Sequence, residues 1–184
     1  NIKRAIQRGT GELPGVTYEE LSYEGYGPGG VAILVECMTD NKQRTVAEVR
    51  HIFTKYNGAL GENGAVAWMF DTKGVLTFDA SVMAEDAMME MVLESGADDM
   101  TVEDDIYEVT TSQKLFPDVQ AYFDEKNIRY ESAEISKVPH TLIKVEGKDA
   151  KTLIKLMEML EDSDDVQKVW ANFDIDDSLM EEEA

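Results

Sequence analysis

Apolar and polar positions recur along the chain with two different periods, and together they predict a mixed α and β protein. Residues 18–26 alternate like a strand, and residues 31–38 form an unbroken apolar run typical of a central strand covered on both faces. Asp40 is a favourable N-cap for a helix over 41–56. The predicted inward face of this helix consists of Val46, Val49, Phe53 and Tyr56. A further strand is predicted over 66–70.

A second series of elements begins at Gly74 and follows the order strand, helix, strand, strand, helix, strand. The predicted strands of this series are 74–78, 99–102, 105–111 and 128–135. The first helix starts near Ala84 and stops at Gly96, and Pro117 is suited to the first turn of the second helix. This order of elements is the ferredoxin-like, or split βαβ, order.

The segments on either side of that series are too small to enclose a core alone. The later segment contributes a strand at 141–145, a helix at 148–161 and a strand at 166–173. We expect it to join the earlier segment in a second sandwich, with the series inserted between the two halves. The predicted fold class is therefore α+β: two ferredoxin-like sandwiches, one inserted in the other, preceded by the remnant of a helical N-terminal domain.

The two termini differ in character from the predicted sandwiches. Residues 1–8 resemble the last turns of a helix and are followed by a linker rich in Gly and Pro, so we expect an upstream segment. The predicted domains are 1–15 (end of the N-terminal domain and linker), 16–70 with 138–175 (discontinuous domain), 71–137 (inserted domain) and 176–184 (acidic tail).

Composition narrows the class of protein without naming a function. The chain of 184 residues has 17 basic and 38 acidic side chains, a net charge of −21 and 43% hydrophobic residues, which excludes wholesale disorder. No apolar run approaches the ~20 residues of a membrane span, and no signal-peptide pattern opens the chain. The single Cys37 cannot form an internal disulfide. We therefore expect a cytoplasmic protein without a membrane partner.

The charge is unevenly distributed. Residues 1–58 carry seven basic and seven acidic groups, residues 59–136 carry four and eighteen, and residues 137–184 carry six and thirteen. An acidic field repels phosphate backbones. Any nucleic-acid contact is therefore expected from the N-terminal third or from an upstream segment, and the acidic domains are candidates for a protein partner.

The helix over 41–56 is the most basic predicted element, with Arg44, His51 and Lys55 along one face and Glu48 among them. The candidate phosphate-contact residues are Lys3, Arg4, Arg8, Lys42, Arg44, Arg50 and Lys55. The alternative is a solvated amphipathic helix in which Arg44 pairs with Glu48 four residues later. The sequence leaves both interpretations open.

Two glycine-rich segments have the spacing of ligand-binding loops. Residues 25–30 satisfy G-x-G-x-x-G, but a strand follows them instead of a helix, so a hairpin turn is the better interpretation. Residues 58–64 contain the G-x-x-G spacing that clamps a nucleic-acid backbone in KH modules. A mobile connection is the simpler interpretation, and Gly61 and Gly64 are kept as weak candidates for a contact with phosphate.

No catalytic or metal-binding constellation is recognisable. Cys37 lies in the most apolar strand, where a cysteine usually packs as a small hydrophobe. His51 and His140 have no partner at ligand spacing, and the acidic turns do not follow the EF-hand pattern. The sequence therefore predicts a non-enzymatic protein with no catalytic residue, no metal and no cofactor.

Several segments together resemble the YebC family of probable transcriptional regulators, whose mitochondrial relatives act as translational activators of cytochrome oxidase. The N-terminal segments that carry the resemblance are Arg4-Ala5-Ile6, Arg8-Gly9, Tyr23-Glu24-Gly25-Tyr26-Gly27-Pro28-Gly29-Gly30 and Thr39-Asp40-Asn41. The later ones are Arg44 to Arg50, Gly61 and Gly64, Val66-Ala67-Trp68-Met69-Phe70, Leu160-Glu161-Asp162 and Asp164-Asp165-Val166-Gln167.

The resemblance implies a three-domain, non-enzymatic, cytoplasmic protein whose basic helical N-terminal domain precedes the two α+β domains. It implies a regulator that binds promoter DNA, mainly through the N-terminal domain that is missing here. A second hypothesis is a ribosome-associated translation factor that binds ribosomal RNA, because both targets require cations on phosphates. A third, by analogy of fold alone, is a small-molecule-sensing module.

Overall fold

The computed structural model describes residues 16–182. Its strands are β1 (Glu19–Tyr26), β2 (Ala32–Thr39), β3 (Ala59–Leu60), β4 (Phe70–Asp79), β5 (Asp99–Glu103), β6 (Ile106–Ser112), β7 (Ser132–Pro139), β8 (Ile143–Lys144), β9 (Val166–Ala171) and β10 (Phe173–Asp174). Its helices are α1 (Lys42–Lys55), α2 (Glu85–Ser95), α3 (Phe116–Glu125), α4 (Gly147–Asp162) and α5 (Asp177–Glu182). Within this part of the chain, no helix is long and apolar enough to cross a membrane.

The described residues form two compact units. The discontinuous unit contains residues 16–69 and 139–182, and the inserted unit contains residues 70–138. The backbone N–H of His140 donates a hydrogen bond of 3.0 Å to the carbonyl of Met69. The chain therefore leaves the discontinuous unit and returns to it at one hydrogen-bonded point.

The discontinuous unit is built on a four-stranded sheet in the order β3-β1-β2-β9. β1 and β2 pair antiparallel from Glu19–Thr39 to Tyr26–Ala32, and the predicted hairpin turn follows Tyr26. The unbroken apolar run of β2 lies between β1 and β9, which confirms the prediction of a central strand. Alternate residues of this strand pack against α1 and α4 in one core. Its fully buried members include Ile33, Val35, Val49, Phe53, Leu153, Leu156 and Leu160.

The start of α1 differs by one residue from the prediction. The side chain of Asn41, not that of Asp40, caps the helix by accepting a hydrogen bond of 3.1 Å from the backbone N–H of Arg44. Asp40 instead forms an ion pair with the guanidinium of Arg44 at 2.9 Å. The inward face consists of Thr45, Val49, Ile52 and Phe53.

The predicted strand over 66–70 is wrong, because Ala67–Met69 form a 3-10 turn and the strand β4 begins only at Phe70. The backbone N–H groups of Val66 and Ala67 donate to the carboxylate of Glu24, at 3.0 and 2.6 Å. These donors are consequently not available for a β-ladder. A side chain distant in sequence thus overrides the local β pattern.

The C-terminal segment also departs from the predictions. The predicted strand over 141–145 is reduced to β8, which pairs in parallel with β10 in a separate small sheet. Asn172 interrupts the predicted strand over 166–173, because its side-chain oxygen accepts a hydrogen bond of 2.8 Å from Ala32 N. Residues 177–182 form α5 within the predicted acidic tail, and Leu179 packs against the core.

The inserted unit has the predicted ferredoxin-like order of elements, β4-α2-β5-β6-α3-β7, and a sheet in the order β5-β6-β4-β7. α2 ends at Gly96, whose φ of +85° is the left-handed conformation of a helix stop. The fully buried rings of Phe78 and Phe123 lie 4.8 Å apart at the centre of its core. The last strand begins at Ser132, because residues 128–131 are used to close α3 and to reach the sheet.

Candidate nucleic-acid interface

The predicted phosphate-contact residues of α1 have different environments. Lys42, Arg50 and Lys55 are exposed, and Lys55 Nζ lies 5.5 Å from the centroid of the Tyr56 ring. Lys42 precedes Arg50 by two helical turns, about 12 Å along the helix axis. Lys3, Arg4 and Arg8 lie outside the described residues. The structure therefore describes exposed cations at both ends of α1.

Arg44 is an internal ion-pair partner. Its Nη2 lies 3.0 and 3.1 Å from the two carboxylate oxygens of Asp165, and its Nε donates a third hydrogen bond to Asp165 at 3.3 Å. The Asp165 side chain is only 5% exposed and also accepts a hydrogen bond of 2.9 Å from the Thr45 hydroxyl. With Asp40 as a second carboxylate, the charge of Arg44 is compensated within the unit, which argues against it as a phosphate contact.

Glu48, which the sequence offers as the partner of Arg44, instead contacts the segment after α4. Glu48 accepts a hydrogen bond of 2.9 Å from the hydroxyl of Ser163, the residue that follows α4. The Arg44–Asp165 contact and the Glu48–Ser163 contact both join the N-terminal half of α1 to the segment after α4. Because they do so, the two helices run antiparallel, and the C-terminal half of α1 lies beside the N-terminal half of α4.

This arrangement adds cations that the sequence analysis missed. Lys148, Lys151 and Lys155 are exposed on α4, and their spacing places them along one stripe of the helix. They were missed because their segment is acidic overall and distant from α1 in sequence. Lys155 forms an ion pair of 4.0 Å with Glu158. Lys148 and Lys151 lie nearer to the start of the helix.

Exposed cations are more numerous at one end of the helix pair, although Lys42 lies at the other end and Asp149 lies beside Lys148 in the first turn of α4. We use "basic end" for the four exposed cations in the C-terminal half of α1 and the N-terminal half of α4, namely Arg50, Lys55, Lys148 and Lys151. The opposite end contains the acidic side chains around the turn after α4, namely Asp40, Glu161, Asp162, Asp164 and Asp165.

The glycine loop does not present free backbone donors at its two candidate residues. Gly64 N donates to the carboxylate of Glu24 at 2.6 Å, and Gly61 N donates to the Glu24 carbonyl at 2.7 Å. Gly64 has a φ of +90°, a backbone conformation that favours glycine, which explains the presence of glycine at this position. The backbone N–H groups of Gly61 and Gly64 are therefore engaged within the unit, and a phosphate contact by these two residues stays a prediction.

Glu24 is the anion that this loop binds. Its side chain is 6% exposed and accepts backbone hydrogen bonds from Gly64, Val66 and Ala67. Burial alone would raise the pKa of Glu24, but these three hydrogen bonds to the charged form lower it below its ordinary value. The ionised carboxylate thus fixes the loop on β1 at neutral pH.

Two exposed aromatic residues beside this loop were also missed. The Trp68 indole N–H donates to the carbonyl of Ala65 at 3.1 Å, and the Tyr26 hydroxyl donates to the same oxygen at 3.3 Å. Trp68 is 68% exposed and Tyr26 is 39% exposed. The assignment of 66–70 to a strand concealed this pair, and no local pattern indicates a shared carbonyl.

Cys37 has the environment that the sequence predicts. It is 2% exposed, and burial, with the nearby carboxylates of Asp165 and Glu48, raises the pKa of its thiol to about 12. The nucleophilic thiolate is therefore scarce at neutral pH. Among residues 16–182, His, Cys, Asp and Glu side chains form no group of three or more suited to a metal ion.

Comparison with known proteins gives the family. The family model described as "TACO1/YebC second and third domain" matches residues 18–173. A protein named "Probable transcriptional regulatory protein GSU1074" from Geobacter sulfurreducens is 55% identical over 181 residues, which cover 98% of this chain and 73% of that protein. Proteins from Syntrophobacter fumaroxidans and Dictyoglomus turgidum, both named "Probable transcriptional regulatory protein", are each 54% identical with the same coverage.

A solved structure has the same fold. The crystal structure of a conserved hypothetical protein, Aq1575 from Aquifex aeolicus, matches with a TM-score of 0.81 and 39% identity, over 95% of this chain and 72% of that one. The structure is thus a two-unit α+β protein with the fold of that solved relative. The chain belongs to the TACO1/YebC family.

Proposed function

We propose that this protein is a cytoplasmic, non-enzymatic regulator of gene expression that binds DNA. Relatives that are more than half identical to it are named probable transcriptional regulatory proteins. The single observation that carries the proposal is the basic end, where Arg50 and Lys55 in the C-terminal half of α1 and Lys148 and Lys151 in the N-terminal half of α4 are all exposed, in an otherwise acidic chain.

The proposed mechanism is contact with the phosphate backbone. Exposed Lys and Arg side chains displace condensed counterions from DNA, so each neutralised phosphate makes binding more sensitive to salt. Backbone contacts fix position and carry no sequence information directly. The acidic inserted unit, with five basic and 17 acidic side chains, would repel DNA and so confine it to the basic end.

The test replaces two lysines of the basic end and one matched lysine elsewhere. Lys55→Gln and Lys151→Gln each remove a charge from the basic end, whereas Lys114→Gln removes the same charge from an exposed position of the inserted unit. Binding of a DNA duplex is measured between about 50 and 200 mM salt. We expect Lys55→Gln and Lys151→Gln to reduce the slope of log K against log salt by about 0.9 each.

The control variant Lys114→Gln should leave both the affinity and the salt slope unchanged. Equal slopes for all three variants and the unmodified protein would overturn the proposed position of the interface. Circular dichroism of each variant checks that the exposed substitutions leave the fold intact.

A ribosome-associated translation factor is the second candidate function. It is favoured by the exposed pair of Tyr26 and Trp68, because sequence-specific RNA recognition mostly uses unpaired bases and aromatic side chains. The same cations would hold RNA phosphates. Co-sedimentation with ribosomes, compared with binding to duplex DNA at the same salt concentration, separates the two candidates.

A further inference from the structure

The exposed pair of Tyr26 and Trp68 differs from exposed apolar residues scattered over a surface. Both polar groups donate to the Ala65 carbonyl, at 3.3 and 3.1 Å, so the two side chains converge on one atom. Single exposed apolar residues are normal and need no explanation. Two aromatic side chains pinned to one carbonyl form a small, fixed platform.

The platform is held in place from beneath. The 3-10 turn that carries Trp68 begins at Ala67, and the backbone N–H groups of Gly64, Val66 and Ala67 all donate to the buried Glu24 carboxylate. Charge-assisted hydrogen bonds are about twice as strong as neutral ones. The rings are therefore preorganised, which lowers the entropy lost on binding a ligand.

A hollow opens beside Trp68. It has a volume of about 290 Å³ and is lined by Trp68, Met69, His140, Thr141, Ile143 and Asn172. Its lining combines apolar side chains with a few polar ones, which is the usual character of ligand-binding hollows. One ligand plane could stack on Trp68 while its edge faces these polar groups.

The platform is connected to the end of α1 through the chain and the sheet, on the face of β1 opposite to α1, because a Cβ atom at the neighbouring Gly25 would meet Phe53 of α1. Tyr26 pairs with Ala59 in the sheet, and Ala59 follows shortly after Lys55 at the end of α1. A chain with phosphates on Lys55 would therefore pass the β3 edge towards Tyr26. Glu62 is the acidic residue of the intervening loop, and it would oppose such a chain.

We propose that Tyr26 and Trp68 stack on unpaired bases of a single-stranded nucleic acid whose phosphates are held at the basic end. The inference rests on the proposed function and deepens it, because it names the form of nucleic acid that is bound. Proteins that bind single-stranded nucleic acid commonly combine basic side chains, which contact the phosphates, with aromatic side chains, which stack on the bases. A paired base in a duplex cannot present its face in this way.

The test uses fluorescence, because Trp68 and Trp170 are the two tryptophans of the chain. Oligo(dT) and oligo(U) are titrated into the protein, with a DNA duplex for comparison. We expect both single strands to quench Trp68, and the Trp68→Phe variant to lose that quenching while it retains most of the affinity. The relative affinities for oligo(dT) and oligo(U) distinguish DNA from RNA as the source of the bases.

Removal of the rings gives the quantitative test. Trp68→Ala should weaken binding of the single strands about five- to 100-fold and leave the salt slope unchanged, because no charge is lost. Tyr26→Ala should have a smaller effect in the same direction, and Tyr26→Phe should retain the stacking ring. Glu62→Gln should strengthen binding at low salt, since it removes the opposing charge.

The outcomes separate this inference from the proposed function. If Trp68→Ala binds single strands as the unmodified protein does, while Lys55→Gln still lowers the salt slope, the platform is wrong and the basic end stands. If neither strand nor duplex binds with a salt dependence, the proposed function itself fails. Unchanged binding in the aromatic variants together with loss of a protein partner would assign the platform to protein recognition and overturn the inference.

Discussion

The guanidinium of Arg44 binds both carboxylate oxygens of Asp165, although the two residues are 121 positions apart in the chain. The contact joins the first turn of α1 to the segment between α4 and β9. It therefore ties the part of the discontinuous unit before the insertion to the part after it. Thr45 and Asp40 complete this polar cluster.

Replacement of Asp165 by Asn should destabilise the discontinuous unit. Asn keeps the shape but removes the charge that compensates Arg44, and we expect a loss of about 1–3 kcal/mol, less than for a fully buried pair because Arg44 is partly exposed. Both tryptophans lie in this unit, so urea unfolding followed by tryptophan fluorescence reports on it selectively.

The variant Lys144→Gln is the matched control, since its ion pair with Glu146 is exposed on both sides and should contribute little. Equal midpoints for Asp165→Asn and the unmodified protein would show that the pair adds no stability.

Replacement of Glu24 by Gln should destabilise the loop that carries Trp68. The amide of Gln can accept through one oxygen only, so at least one of the three backbone donors loses its partner, at a cost of about 1–3 kcal/mol. Hydrogen exchange of Gly64, Val66 and Ala67 should become faster in this variant. Exchange at unaltered rates would contradict the assigned role of the carboxylate.

The same variant gives a pH dependence with a definite sign. The three hydrogen bonds hold the pKa of Glu24 below its ordinary value in the folded protein, so its contribution is present above the unfolded pKa and is lost as the pH falls through the folded pKa. The difference in unfolding free energy between the unmodified protein and Glu24→Gln should shrink from about pH 6 to about pH 3. A difference in unfolding free energy that stays constant over this pH range would contradict the lowered pKa of Glu24.

Gly74 should resist substitution because a side chain there would collide with Phe116. A Cβ atom built at Gly74 overlaps the Phe116 side chain, so Gly74→Ala should destabilise the inserted unit by about 1–3 kcal/mol. Hydrogen exchange of β4 measures the effect. The double variant with Phe116→Ala should be less destabilised than the sum of the single variants, and strict additivity would exclude the collision.

Cys37 should report unfolding of the discontinuous unit. With its thiol pKa raised to about 12 and its side chain buried, alkylation of the native protein near neutral pH should proceed only through opening of the structure. Since it is the single cysteine of the chain, mass spectrometry after timed alkylation follows this opening at one defined site. Labelling as fast as that of the denatured protein would show that the site opens readily.

Local patterns sufficed for the elements that are stabilised locally. Gly96 and Pro117 delimit helices of the inserted unit by backbone preference, and the apolar run of β2 favours a central position in the sheet, so these features were predicted correctly. The turn at 67–69 depends on Glu24, which belongs to another strand. A short stretch of sequence around residues 67–69 does not include Glu24, so its hydrophobic pattern cannot reveal this hydrogen bond.

The surface was predictable only in part. The cations of α1 stand out by composition, but their neighbours Lys148 and Lys151 enter through antiparallel packing of two distant helices. The spacing of four residues on a helix predicted an ion pair between Arg44 and Glu48. In the structure, the stronger bidentate interaction of Arg44 is with the remote Asp165. Long-range pairing therefore determines which charges remain exposed.

The hydrogen bond between His140 and Met69 brings the two ends of the insertion together. A short turn joining these residues would restore an uninterrupted chain without disturbing the ladder of β1, β2 and β9. In evolutionary terms, the gene can gain, exchange or delete the module between them as a cassette. The discontinuous unit and the acidic inserted unit can then diversify at separate rates among descendants.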